Sequence, residues 1–327
     1  MKKEYLILIA VILGLVAYLF LKDNNQTHFQ LPETPAMDSA KTDHIRITRG
    51  KRTIELVRRD DKWFIEPRNY PADGVKVKNM LKAASDLKLT ALVSESGNYE
   101  RYDLSDDKKT DVRLLTGSDV QREFEIGRTA PTYQHTFVKL PGDANVYYAK
   151  GSLEKTFDVD LANLRDKIVM TFDPSTITAL DLKKGGHVLN LAKKEVPLEE
   201  KTAQGEKDKT ASAQPQKPKS VWQSSDGQTV DQAAVERLLS SFSRLQCDGF
   251  AEGASKAEFK DPAWQLTFKN DQGMHTFAVQ AKKAETDNQV EAISSSSDYV
   301  FMLMQTRAEG LERHVDKLLG IEAPKKK

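Results

Sequence analysis

Two stretches of this chain carry the same apolar spacing, and that recurrence restricts the fold more than any other feature. In KVKNMLKAASDLKL (Lys76–Leu89) the apolar stripe is Val77, Met80, Leu81, Ala84 and Leu87. In AVERLLSSFSRLQC (Ala234–Cys247) it is Val235, Leu238, Leu239, Phe242 and Leu245. Steps of three and four residues place one apolar stripe along a helix. Seen once, the pattern predicts an amphipathic helix; seen twice, it predicts a duplicated unit.

The surroundings of the two helices agree in order. Ahead of the first, Ile45/Ile47, Ile54/Leu56 and Trp63/Ile65 alternate as three short strands, with hairpin chemistry at Arg49-Gly50-Lys51 and Asp60-Asp61. Asp73 is placed to cap the helix. DVRLLTG, REFEIG, TFVKL and VYYAK follow as strands, and LANLRDKIV (Leu161–Val169) reads as a short helix. In the second half ITALDLKKGGHVLNLAKK is a hairpin around Gly185-Gly186, and SVWQSSDG brings Trp222 to the place of Trp63. The helix starts after Asp231; AWQLTFKNDQG, HTFAVQ and DYVFML then read as strands, and LERHVDKLLG closes. Phe124/Ile126 match Phe277/Val279, Tyr147/Tyr148 match Val300/Phe301, and Leu161 with Asp166-Lys167 matches Leu311 with Asp316-Lys317. The expected fold class is α+β: two tandem repeats (44–172 and 173–320), each a mainly antiparallel sheet with an amphipathic helix, after one N-terminal transmembrane helix.

The transmembrane expectation rests on Tyr5 to Leu21, which carry neither charge nor proline. As a helix they would rise about 25 Å, enough for a tilted or snorkelled span. Lys2 and Lys3 precede them and place the N-terminus in the cytoplasm. The run ends in Leu19-Phe20-Leu21-Lys22-Asp23, large or charged residues unlike a cleavage site, so residues 1–22 read as an uncleaved signal-anchor. The chain is thereby expected at a bacterial inner membrane, single-pass, with its bulk periplasmic or extracytoplasmic. Residues 23–43, polar and with Pro32 and Pro35, read as a flexible stalk. Glu195–Ser220 is almost devoid of large apolar residues and reads as a disordered insertion; residues 321–327 read as a basic tail.

Composition narrows the function. Lys plus Arg number 49 and Asp plus Glu 48, a net charge of +1 that supplies no field for nucleic acid. The one cysteine, Cys247, forms no intrachain disulfide and reads as a small core residue. None of His28, His44, His135, His187, His275 and His314 stands at a metal-ligand spacing. Ser-x-x-Lys occurs at Ser105–Lys108 and Ser152–Lys155, but without Ser-Asp-Asn or Lys-Thr-Gly partners. Ser152 reads instead as a helix cap. No phosphate-cradling glycine motif is present. Glu123/Glu125 and Asp158/Asp160 read as solvent-facing strand carboxylates, Trp63 and Trp222 as core anchors. RTAPTYQHTF (Arg128–Phe137) mixes Arg, Tyr, His and Pro, and reads as a hairpin connection.

The order W-F-I then P, PAD…V…ML, YDLSD…VRLLTG, FEIG, YYAKGSLE and LRDK over residues 45–172 resembles the bacterial domain-of-unknown-function family numbered 4340, with the second unit a diverged copy. The resemblance implies an envelope protein, often linked to ABC-type transporter and gliding-related systems, and carries no catalytic residues. The second copy departs from the pattern, with His314-Val315 for Leu164-Arg165 and Gln280 for Gly127. The expectation is a membrane-anchored binding or scaffolding module with a protein partner in an envelope complex and with no cofactor, metal, catalytic residue or nucleic acid. The competing reading is an envelope hydrolase, or a polysaccharide-binding protein, with a site between the two repeats.

Overall fold

In the computed structural model, residues 11–18, 30–196, 219–282, 284 and 287–321 are described, and the chain divides into two compact units, Met1–Asp166 and Lys167–Lys327. The first begins with the three expected strands, β1 (His44–Arg49), β2 (Arg52–Arg59) and β3 (Lys62–Glu66). Ile45, Ile47, Ile54, Leu56, Trp63 and Ile65 are all buried on one face. The β2–β3 turn uses Asp60 and Asp61, both left-handed at φ 47° and 61°, the twist that a two-residue hairpin requires. β4 (Tyr70–Pro71) leads to α1 (Gly74–Ser85), capped as expected by Asp73, whose carboxylate accepts the Val75 and Lys76 N–H groups. Then come β5 (Leu89–Ser94), β6 (Thr110–Thr116), β7 (Asp119–Thr129), β8 (His135–Lys139) and β9 (Val146–Lys150), with α2 (Leu153–Phe157) and α3 (Leu161–Leu164). All strand pairs are antiparallel, in the order β4-β3-β2-β1-β6-β7-β8-β9-β5.

The second unit comprises β10 (Ile168–Thr171), β11 (Ala179–Lys184), β12 (His187–Val196), β13 (Lys219–Ser224), α4 (Gln232–Phe242), β14 (Arg244–Gln246), β15 (Gly249–Phe250), β16 (Trp264–Asn270), β17 (Gly273–Val279), β18 (Gln289–Ser294), β19 (Phe301–Met304) and α5 (Gln305–Leu319). Its antiparallel sheet runs β13-β12-β11-β16-β17-β18-β19-β15, while β10 pairs with β14 separately. The core holds Val235, Leu238, Leu239 and Phe242 of α4 against Trp222, Trp264, Phe268 and Phe277, and Phe242 meets three of those rings at 5.0–6.3 Å. The protein is thus α+β, with mostly antiparallel sheet and a few helices.

Several boundaries differ from the expectations. The division falls after Asp166 rather than after residue 172, because Ile168–Thr171 pair with Arg244–Gln246 as a strand. The helix expected over Leu161–Val169 stops at Leu164, where Arg165 turns extended (φ −64°, ψ 142°) and bridges to Ala72. Its supposed counterpart, LERHVDKLLG, belongs to the much longer α5. Leu161 is accordingly exposed whereas Leu311 is buried, so those Asp-Lys pairs occupy unlike settings. The stripe of α1 is also narrower than its spacing suggests: Val77, Met80 and Ala84 are fully buried, Leu81 only partly. Leu245 is buried on β14, beyond the end of α4.

The described part of the expected stalk is not free. Met37 and Thr42 are buried, Thr34 Oγ1 donates to the Leu87 carbonyl, and the Arg122 guanidinium donates to the Pro35 carbonyl at 2.5 Å. Asp43 accepts the Gly117 N–H with both carboxylate oxygens. Residues 34–43 are a strap across unit 1, because low hydrophobicity does not prevent a chain from docking through its backbone carbonyls. The insertion is likewise shorter than 195–220. Glu195↔Ser220 and Val196↔Lys219 are ladder pairs of β12 and β13; residues 197–218 lie outside the described residues. Of the expected membrane segment, residues 11–18 are helical and exposed on every side, and the rest lies outside the described residues. Among the described residues no helix is long and apolar enough to cross a membrane. The basic tail lies outside them apart from Ile321.

Candidate functional site

A polar depression on the surface of unit 1 follows from strand alternation. With the odd-numbered isoleucines of β1 turned to the core, Arg46 and Thr48 face outward, and so do Thr53 and Glu55 of β2, Asp111 and Arg113 of β6, and Glu123 and Glu125 of β7. They line an open depression of about 670 Å³ together with Lys109. Cross-strand register puts unlike charges opposite one another: Arg46↔Glu55 and Arg113↔Glu123 are directly paired, with Nε–O distances of 2.9 and 2.6 Å. Thr48 and Thr53 hydroxyls lie 3.2 Å apart.

Lys109 and Glu125 form the less exposed end of this lattice. Lys109 Nζ lies 3.2 Å from Glu125, 3.1 Å from Asp106 and 3.5 Å from Asp111, while Lys139 holds the other Glu125 oxygen at 2.9 Å. Burial alone would lower the Lys109 pKa, but hydrogen bonds to Asp106 and Glu125 and the nearby carboxylate charges carry it above the usual lysine range. Burial pushes the Asp111 carboxyl up, partly offset by Lys109. Glu123 and Glu125 are therefore not simply solvent-facing; each is bound to a cation.

Beside this end the face becomes aromatic. Residues 99–104 cross over β7, and their close approach explains Gly127: a Cβ there would lie 2.1 Å from the Tyr102 carbonyl oxygen. Tyr102 packs on Phe137 at 4.8 Å, Phe137 on Tyr148 at 5.1 Å, and His135 on Tyr148 at 5.5 Å. Leu104, Ala130, Phe137 and Val146 are buried beneath, a second small core on the outer face. The Arg128 guanidinium lies over Phe137 and donates to the Arg101 carbonyl at 2.9 Å. The Arg128–Phe137 stretch is thus a hairpin connection whose tip, Tyr133, is 80% exposed. The aromatic rings are packed on one another rather than set in a row along a groove. Nothing in their spacing announces this cluster, since its members come from three separated segments.

The remaining sequence candidates are scattered. Ser105 lines a cavity of about 360 Å³ with Tyr99, Lys109 and Lys139, but Lys108 turns to Asp103 at 3.7 Å. Lys109, held charged by three carboxylates, is no base for a serine. Ser152 occupies the N-cap position of α2 without a side-chain capping bond, and Lys155 is exposed. Asp158 binds Arg49 and Arg52, and Asp160 caps α3 through Asn163 N–H. Trp63 and Trp222 are buried. His44 approaches Glu55 at 4.0 Å, His135 lies 3.3 Å from Thr132 Oγ1, and His275 packs on Phe172. On α5, burial first and then Arg237, Arg313 and Lys317 hold the His314 imidazole below its ordinary pKa. His28 lies outside the described residues, and among those described no three His, Cys, Asp or Glu side chains are grouped to hold a metal ion. In unit 2 a depression of about 370 Å³, lined by Gln280, Asp287, Gln289, Glu291 and Met302, carries amides and carboxylates. The Gln280 amide donates to the Lys260 carbonyl at 2.6 Å.

A family model described as a domain of unknown function, DUF4340, matches residues 63–267, more than half of the chain. The match begins in β3 and ends in β16, so it reaches beyond residues 45–172 and into the second unit. No curated protein and no solved structure is similar enough to the chain to match it. The chain belongs to the DUF4340 family.

Proposed function

We propose that this member of the DUF4340 family is a membrane-anchored, extracytoplasmic binding or scaffolding module, built from two copies of one unit and accessory to an ABC-type transport or motility complex. The observation that carries the binding role is the outer face of the first sheet. Its ionised groups are paired with one another across the strands, and its least exposed lysine, Lys109, is held protonated. Such a face offers a broad, electrically balanced contact surface rather than a poised acid, base or nucleophile.

Anchoring is supported by residues 11–18. Val11, Ile12, Leu13, Leu15, Val16 and Tyr18 are 44–62% exposed on a helix apolar all round, a surface that water disfavours and lipid accommodates. Duplication is supported by connectivity. With β4 set aside, the first sheet runs β3-β2-β1-β6-β7-β8-β9-β5 and the second β13-β12-β11-β16-β17-β18-β19-β15, with an Asp-capped helix after the third strand of each hairpin set.

The test is twofold. Protease added to spheroplasts should digest residues beyond the strap and leave a membrane-bound N-terminal fragment; a soluble mature form starting beyond residue 21 would overturn the anchor. Photo-crosslinkers placed at Thr48 and Arg113 should then capture membrane-complex subunits. Turnover of a wall or glycan substrate by the purified chain would overturn the binding role.

A further inference from the structure

A sheet edge is a row of unused backbone donors and acceptors, and among the described residues three of the four edges of the two large sheets are visibly blunted. β4 is two residues long and contains Pro71, which lacks an N–H donor; the next residue, Ala72, bridges to Arg165. β15 is two residues long. On β13 the Gln232 side chain takes both the N–H and the carbonyl of Trp222, and Gln223 bridges to Thr229. β5 is different. Among the described residues its outer side has no strand partner, and Leu89–Ser94 contain neither proline nor charge. Thr90 and Ala91 are exposed.

We propose that β5 pairs antiparallel with β5 of a second copy of this chain, joining two nine-stranded sheets across a two-fold axis near Ala91. Charge at the ends of the strand argues for this occupant. Exposed Lys88 and Lys150 lie together at one end, where the Lys150 N–H donates to the Lys88 carbonyl; exposed Glu95 lies at the other. None of the three has an ion-pair partner among the described residues. Antiparallel self-pairing brings the lysine end of each copy to the glutamate end of the other, whereas parallel pairing would stack like charges. The register against β9 shifts between Leu89 and Ala91 and again between Leu92 and Ser94, which twists the edge and limits the contact to a short segment. The dimer is therefore weak when dilute and favoured wherever the chain is locally concentrated. This pairing does not depend on membrane attachment.

The full chain in detergent, followed by sedimentation over a range of concentrations, should show a monomer–dimer equilibrium. Lys88→Glu and Glu95→Lys should each weaken it by about tenfold, and the double reversal should restore it. Ala91→Cys should give an oxidised dimer that Ala91→Ser does not, since Cys247 is buried. A monomer at every concentration, single reversals without effect, or failure of the double reversal to restore association would overturn the proposal. So would crosslinking of Ala91→Cys in membranes to a different polypeptide instead of a second copy.

Discussion

The side-chain amide of Gln232 closes on the backbone of Trp222 like a strand partner: its oxygen accepts the Trp222 N–H at 2.6 Å and its nitrogen donates to the Trp222 carbonyl at 2.9 Å. The first residue of a helix thereby finishes the edge of a sheet. Gln232→Ala should cost about 1–3 kcal/mol in denaturant unfolding, because both groups of Trp222 lose their partner. Gln232→Glu should leave the N–H satisfied and lose the bonds that the amide nitrogen gives to the Trp222 and Val230 carbonyls. Equal losses for the two variants would show that the bracket contributes nothing beyond packing.

Gly127 is set by proximity rather than by backbone conformation. Gly127→Ala must move the Tyr102 carbonyl and the Leu104 side chain, which would lie 2.1 and 2.9 Å from the new Cβ. Overpacking of this kind typically costs about 1–3 kcal/mol. Gly249→Ala meets nothing within 4 Å and should stay within about 0.5 kcal/mol. Chemical unfolding followed by the near-ultraviolet signal of the tyrosine cluster distinguishes them.

The two amphipathic helices should respond unequally. Met80→Ala and Leu239→Ala each remove a buried side chain and should cost about 2–5 kcal/mol. Leu81→Ala, at a partly buried position, should cost less than either, and exposed Lys82→Ala and Ser240→Ala should stay within about 0.5. A Leu81→Ala loss equal to that of Leu239→Ala would contradict the narrower stripe on α1.

Acid should weaken unit 1 through Asp158. Its hydrogen bond to Arg49 lowers the carboxyl pKa, burial opposes this, and the charges of Arg49 and Arg52 add to the lowering. With the folded pKa below the unfolded one, the contribution is present above about pH 4 and is lost as pH falls through the folded value. Asp158→Asn should thus reduce stability at neutral pH and narrow its difference from the parent as acid is added. A constant difference across that range would locate the effect in packing instead.

Much of this architecture is written locally. The alternation of Ile45/Ile47 and Ile54/Leu56, the Asp60-Asp61 turn, the Asp73 cap and the three-and-four spacing of both helices act over a few residues, so the chain alone determines those strands, that turn and those helices. Family membership is legible for the same reason, since its motifs are short and ordered. What tertiary structure decided are the meetings of distant residues. The docking of Pro35 on Arg122, the ending of α3 where Arg165 joins Ala72, the crossing of Tyr102 over Gly127 and the bracket of Gln232 on Trp222 each join segments by backbone carbonyls or close contact. Such contacts leave no periodicity, because a carbonyl is common to every residue and a close approach is marked at most by one glycine. The pairing of Lys109 with Glu125 and Glu125 with Lys139 is decided in the same way, by the register that sets Glu125 opposite Lys139 and by the approach of Lys109, just ahead of β6, to the same carboxylate.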